Sequence, residues 1–242
     1  MRIDHSIFSD KGGRQVNEDR ADAVCIGSRS LFILCDGLGG HGSGSVAAET
    51  VTGCLKDYFK SCPGIDAFAA DALVRAQSAL KKTQQSDGRL REMRTTAVLL
   101  CIEGSRGIVL HIGDSRLYRF RNGRVLSRTR DHSLPQALCL AGEITEPEIR
   151  THPDRNKLLR ALGDEADEVR SERSDIEIMP GDSFLLCSDG LWEPVTEGEM
   201  ERLLSETGKP KKWLSQLAKL AEKNSRGRNM DNYTAIAVTV RE

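Results

Sequence analysis

The sequence predicts an α+β fold: mostly antiparallel sheets with helices packed outside them. Three observations carry this. Many short apolar runs read as strands, and several are apolar on both faces, as in sheets covered on each side. Asn122-Gly123 joins two such runs, a strong signal for a hairpin and so for antiparallel neighbours. Two long helical patterns follow the first strands, hairpin strands fill the middle, and helices return near the end. That order lacks the regular β-α-β alternation of a doubly wound sheet.

Strands are expected at residues 21–26 and 31–35, the second ending in Phe32-Ile33-Leu34-Cys35. A helix is expected over 45–59, with Ser43 or Ser45 as its cap. A second helix covers 66–85, where Phe68, Ala69, Ala72, Leu73, Ala76, Ala79 and Leu80 recur at helical spacing. Strands follow at 95–102, 107–112, 115–120 and 124–127, the last two flanking Asn122-Gly123. The charged segment between Asp131 and Asp175 has no periodicity and is expected to border the functional site. Strands at 175–178 and 183–187 come next. Thr196-Glu197-Gly198-Glu199 forms a capping box and opens a helix to about residue 204. Pro210 suits a first helical turn. Beyond it, Trp213, Leu214, Leu217, Leu220 and Ala221 form an apolar stripe, with Trp213 as packing and Lys209, Lys211 and Lys212 solvated. A final strand runs over 234–240. The strands leading to Asp36 and Asp189 echo each other and are expected to face one another. No internal repeat and no Gly-, Ser- or Pro-rich linker is visible, so residues 1–242 are expected to form a single domain.

Bulk composition excludes several classes. Of 242 residues, 38% are hydrophobic and 29% charged, enough for a sizeable core. Lys and Arg number 35 against 36 Asp and Glu, a net charge of −1, which argues against a nucleic-acid or membrane binder. Seven cysteines, with no Cys-x-x-Cys pair, fit a reducing compartment. Cys35, Cys101 and Cys187 lie inside apolar runs and read as small buried hydrophobes. The N-terminus lacks the apolar stretch of a signal peptide, and no run is long enough to span a bilayer. A cytoplasmic, monomeric protein is expected.

Aspartates beside the strands carry the chemistry. Asp36, Asp114 and Asp189 follow apolar runs, whereas Asp231 precedes one. Carboxylates gathered at the rim of a core are costly without a positive partner. Hard oxygen donors of this kind suit Mg²⁺ or Mn²⁺. Asp36-Gly37-Leu38-Gly39-Gly40-His41 ends a strand in glycines that let a backbone approach a ligand closely. It has neither dinucleotide-loop nor P-loop spacing. Arg14-Gln15-Val16-Asn17-Glu18-Asp19 offers a guanidinium able to fork a phosphate. Read locally, the segment favours an Arg–Glu surface pair over a phosphate fork. On a strand, Glu18 and Asp19 would point to opposite faces.

With these motifs the chain resembles the metal-dependent protein phosphatases (PPM, or protein phosphatase 2C) in their compact bacterial form. The resemblance spans nearly the whole chain. It also includes Thr95-Thr96, Gly113-Asp114-Ser115-Arg116, Asp131-His132-Ser133, Arg160-Ala161-Leu162-Gly163, Ser188-Asp189-Gly190 and Asp231-Asn232-Tyr233-Thr234. It implies an α-β-β-α sandwich with a two-metal site at one end. It implies that Asp36 bridges two Mn²⁺ or Mg²⁺ ions, with Glu18 and the Gly37 carbonyl serving one, directly or through water, and Asp189 and Asp231 the other. Asp19 would hold metal-bound waters, and Asp114 with Asp189 would form a third, weaker site. Arg14 would neutralise the phosphate, and water activated by the ions would attack phosphorus in line. Phosphoserine and phosphothreonine proteins would be substrates, with a Ser/Thr kinase as the opposing partner. A catalytically dead phosphoprotein binder and a carboxylate-metal nuclease are the alternatives. The intact aspartate set and the balanced charge oppose them, respectively.

The chain departs from some relatives in two places: Leu38 stands where they carry a histidine, and Arg94 precedes Thr95-Thr96 in place of a glycine. Among the five histidines, His111 reads as a hydrogen-bonded core residue and His132 as ordering the loop after the hairpin. Arg116, Arg119, Arg121, Arg124, Arg128 and Arg130 read as a solvated strand face, with docking of an acidic partner as the alternative.

Overall fold

A computed structural model describes residues 1–165, 169–227 and 229–242. Two five-stranded antiparallel sheets face each other. One has the order β1 (Arg2–Asp10), β12 (Tyr233–Arg241), β11 (Ser183–Cys187), β8 (Arg116–Arg121), β9 (Arg124–Arg128). The other has the order β10 (Glu172–Glu177), β7 (Arg106–Ile112), β6 (Ala97–Glu103), β3 (Arg29–Cys35), β2 (Arg20–Ile26). A short ribbon pairs β4 (Gly37–Leu38) with β5 (Arg94–Thr95).

Side chains alternate across a strand, and β3 shows what that means for an all-apolar run. Phe32 and Leu34 enter the layer between the sheets, against Phe184 and Leu186 of β11 and Ile236 and Val238 of β12. Leu31, Ile33 and Cys35 face outward under α1 (Ser43–Ser61) and α2 (Ile65–Ser86), meeting Val51, Leu55 and Phe59. Tyr118, Leu185 and Ala235 on the opposite outer face pack under α5 (Glu197–Thr207) and α6 (Pro210–Asn224), with Trp213 fully buried. Each fully buried large apolar side chain contributes about 1.5–3 kcal/mol. The strands leading to Asp36 and Asp189 therefore do face each other. Cys35, Cys101 and Cys187 are buried. No helix among the described residues is long and apolar enough to cross a membrane.

The registers bring the acids together. Strands β3 and β7 both run antiparallel to β6, so they end at the same end of their sheet. Cys187 pairs with Ala235, so the end of β11 lies beside the start of β12. Residues following β3, β7 and β11 and preceding β12 thus meet at one end of the sandwich.

Several elements differ from expectation. Strand β1 pairs with β12 over its whole length, from Arg2↔Arg241 to Asp10↔Tyr233. Its polar Asp4, His5 and Ser6 conceal it. The 131–175 segment contains α3 (Leu134–Leu140), whose first turn is capped by Ser133 accepting from Gln136 N, and a 3₁₀ stretch, Glu146–Thr151. Residues 166–168 of that segment lie outside the described residues, as does the side chain of His41. Helix α1 begins at Ser43, and neither Ser43 nor Ser45 caps it. Their hydroxyls donate back to Gly40 O and Gly42 O at 2.9 and 2.7 Å. The capping box at Thr196 is present, and α5 runs on to Thr207.

The arginines around the β8–β9 hairpin are a solvated face only in part, since Arg124 and Arg130 are exposed but the others are not. Arg116 and Arg119 are buried. Arg116 pairs with Asp131, Arg119 and Arg121 with Asp182, Arg124 with Glu201 and Arg128 with Glu146. Each acid comes from a distant or irregular segment, so the strand pattern alone could not announce the pairing. Asp182 is fully buried between two guanidinium groups. Removing it strands buried charge. Asp182→Ala should cost about 3–5 kcal/mol in chemical denaturation, more than an exposed ion pair could account for.

Candidate active site

A cavity of about 630 Å³ opens at this end of the sandwich, lined by Arg14, Glu18, Asp36, Gly37, Asp114, Asp189 and Asp231 among others. Asp36, Asp189 and Asp231 are half-buried and Asp114 is buried. Asp19 lies beneath, 1% exposed. The residues singled out in the sequence for one site are therefore together.

Backbone contacts hold them. Thr96 N donates to Asp36 O at 2.9 Å, Asp36 N donates to Thr96 Oγ1 at 3.0 Å, and Thr95 Oγ1 donates to Asp36 O at 2.8 Å. Arg94 leaves this clamp intact and pairs with Asp164 at 3.1 Å. A Cβ on Gly37 would lie 2.1 Å from Gly44 O, so only glycine lets the Asp36 loop press against the start of α1. There Gly44 N donates to Glu18 Oε1 at 3.1 Å. Asn232 staples the early loop: its Oδ1 accepts from Glu18 N, and its Nδ2 donates to Lys11 O and Val16 O. The motif containing Asn232 was visible in the sequence, but its anchoring role depends on a partner more than 200 positions away.

Glu18 and Asp19 diverge, although they lie in the loop before β2 and not on a strand. Asp19 Oδ2 accepts from Ser188 Oγ at 2.8 Å, and Ser188 Oγ accepts from Thr234 N at 3.0 Å. Beyond Ser188, α4 (Asp189–Trp192) begins, and Trp192 Nε1 donates to Asp114 O at 3.1 Å. Arg116 lies 3.4 Å over the Trp192 ring while forking Asp131 at 2.8 and 2.7 Å. Asp189 and Asp114 thus rest on one buried layer.

The carboxyl groups raise one another's pKa. Burial, then the charges of Asp19, Asp189, Asp114 and Asp231, hold Asp36 well above the ordinary carboxylate range. Burial, then Asp114 and Asp231, do the same to Asp189. Burial and Asp131 lift Asp114 to about 7, and burial lifts Asp19 to about 6. Glu18 is raised by burial.

Arg14 does not pair with Glu18. Its Nε and Nη2 fork Asp231 at 2.9 and 2.6 Å. That leaves Nη1 without a partner among the described residues. The 131–175 segment contributes Asn156 and Leu158 to the cavity wall.

The donor set is that of a divalent-cation site. Acids outnumber the single arginine among the lining residues, all first-choice donors are hard oxygens, and the buried Asp19 Oδ1 has no hydrogen-bond partner. Outside this cavity, His111, His132 and Glu172 bring further donor atoms within 4.8 Å of one another.

A pH dependence follows for the metal-stripped protein. Asp114 binds its proton more tightly folded, at about 7, than unfolded, at 3.8. Its stabilising contribution is complete below the unfolded value and is lost as pH rises through about 7. In chelator, Asp114→Asn should melt above wild type at about pH 8, with the gain shrinking as pH falls toward about 5. A gain that is independent of pH would contradict the assignment.

Comparisons agree with the geometry. A family model described as protein phosphatase 2C matches residues 11–232. The serine/threonine protein phosphatase PstP of Mycobacterium tuberculosis is 37% identical over 240 residues, covering 98% of this chain but 45% of that protein. The chain therefore spans less than half the length of that relative. The serine/threonine phosphatase Stp of Listeria innocua is 33% identical over 237 residues, covering 95% of this chain and 88% of that one. The crystal structure of the PstP catalytic domain in complex with two manganese ions superposes with a TM-score of 0.86 at 31% identity, covering 99% of both chains. The chain belongs to the protein phosphatase 2C family.

Proposed function

We propose that the protein hydrolyses phosphoserine and phosphothreonine on proteins, using Mn²⁺ or Mg²⁺. The observation that carries this is the meeting of Asp36, Asp189 and Asp231, from separate strands, on one acidic cavity. Asp36 would serve two ions, with Glu18 and the Gly37 carbonyl completing one site and Asp189 and Asp231 the other. Asp114, beside Asp189, would support a third. Ions so held supply charge neutralisation for the phosphate and activation of water.

The chain's own residues do the rest. Arg14 docks one edge of its guanidinium on Asp231 and keeps Nη1 for a phosphoryl oxygen. Asp19, fixed by Ser188, keeps a buried carboxylate oxygen without a protein partner and would orient metal-bound water with it. Thr95 and Thr96 keep the Asp36 backbone from shifting as charge builds. Leu38 lines the cavity where some relatives place a histidine, so it offers no proton to the leaving alkoxide. A Ser/Thr kinase acting on the same proteins is the expected opposing partner, as suggested by the phosphatases it resembles.

Hydrolysis of p-nitrophenyl phosphate should require added Mn²⁺ or Mg²⁺, and activity surviving exhaustive chelation would refute the reading. Asp189→Asn should lower kcat/KM by more than ~100-fold, and Asp19→Asn by about 10–100-fold. Arg14→Ala should raise KM for a phosphopeptide by about 10–100-fold, the worth of a charge-assisted hydrogen bond. Phosphoproteomes with and without Asp189→Asn would then identify the substrates.

A further inference from the structure

The segment Asp131-His132-Ser133 is fitted to Gly113-Asp114-Ser115-Arg116. Asp131 forks Arg116 at one end. At the other, His132 grips Gly113 twice: its backbone N donates to Gly113 O at 2.8 Å, and its Nδ1 accepts from Gly113 N at 3.2 Å. Asp114 lies between the two anchors. Thr96 closes in on the far side of Gly113. The glycine sits at φ +101°, and a Cβ there would lie 2.5 Å from the Thr96 side chain. The backbone of His132 also accepts from Leu159 N at 2.8 Å, next to Leu158 in the cavity wall.

We propose that His132 is a positioning residue that sets the orientation of Asp114 through its imidazole bond to Gly113 N. The bond requires a neutral ring with the Nδ1 lone pair free and the proton on Nε2. The surroundings supply that tautomer. Nε2 faces Glu172 Oε1 at 3.4 Å, and the ring stacks on His111 with centroids 4.8 Å apart and an interplanar angle of 12°. His111 is held in turn by its Nε2 against Arg130 O at 2.8 Å. Burial lowers the pKa of both rings, which keeps them neutral. The ring nitrogens within 4.0 Å of the Glu172 carboxylate are Nε2 of both histidines, so a cation shared with Glu172 would take those lone pairs. His111 spends its Nε2 proton on Arg130 O, and the Gly113 bond leaves the His132 proton on Nε2, so the same nitrogens are donors.

The proposal rests on the reading of Asp114 as a cation ligand, and the test separates the two. Metal-stripped protein is titrated with Mn²⁺ by calorimetry, with the melting temperature of each variant recorded. Asp114→Asn should abolish the weakest class of sites; unchanged Mn²⁺ binding would remove the ligand reading itself. His132→Phe keeps a ring to stack but has no acceptor, and should weaken that same class about tenfold while sparing the others. His132→Asn, which can accept from Gly113 N, should restore most of the affinity. Glu172→Ala, at an exposed position, should weaken it less than His132→Phe. If Asp114→Asn acts and His132→Phe does not, the proposal fails. It fails also if His132→Phe and His132→Asn lose affinity equally. Zn²⁺ bound by wild type but not by Glu172→Ala would overturn it in favour of a cation site on the trio.

Discussion

Mutual repulsion among carboxylates governs this end of the molecule. Asp36, Asp114, Asp189 and Asp231 converge where water is partly excluded, and among the described residues the Arg14 guanidinium pairs with Asp231 alone. Left to themselves, such groups take up protons or move apart. Here the backbone prevents them from moving apart, because each acid abuts a strand buried on both faces. The arrangement therefore keeps an electrostatic demand that a divalent cation satisfies.

The restraint comes mostly from neutral groups. Thr95 and Thr96 hold Asp36, Ser188 holds Asp19, Asn232 holds the loop bearing Glu18, and the Trp192 indole holds the Asp114 carbonyl. Neutral partners fix position without quenching the charge that cations require. Apart from Arg14, which forks Asp231, the neighbouring guanidinium stays one layer back: Arg116 is committed to Asp131 and stacked on Trp192. Glycines at 37 and 44 let the Asp36 loop touch the first turn of α1, which a single added carbon would prevent.

The arginines show how local pattern misleads. Around the Asn122-Gly123 hairpin they form a basic stretch that reads as a wet strand face, yet Arg116 and Arg119 are buried and paired with Asp131 and Asp182. Arg14 looks local to Glu18 but forks Asp231, 217 positions away. Ion pairs between distant segments leave no periodic trace. Strand β1 is hidden by its polar centre, and α3, seven residues long, is too short to show a helical period.

The sequence by itself determined the layered fold, the strands that deliver Asp36, Asp114 and Asp189, and the start of the strand after Asp231. Runs apolar on both faces can be buried only between covering layers, and an aspartate abutting such a run must sit at its rim. Only the tertiary structure decided which groups meet. Register placed four strand ends at one end of the sandwich, and close glycine contacts brought Glu18 to Asp36. Folding also set the partners of each arginine and histidine, because a hydrogen bond or ion pair depends on separation in space and these partners are far apart in the chain.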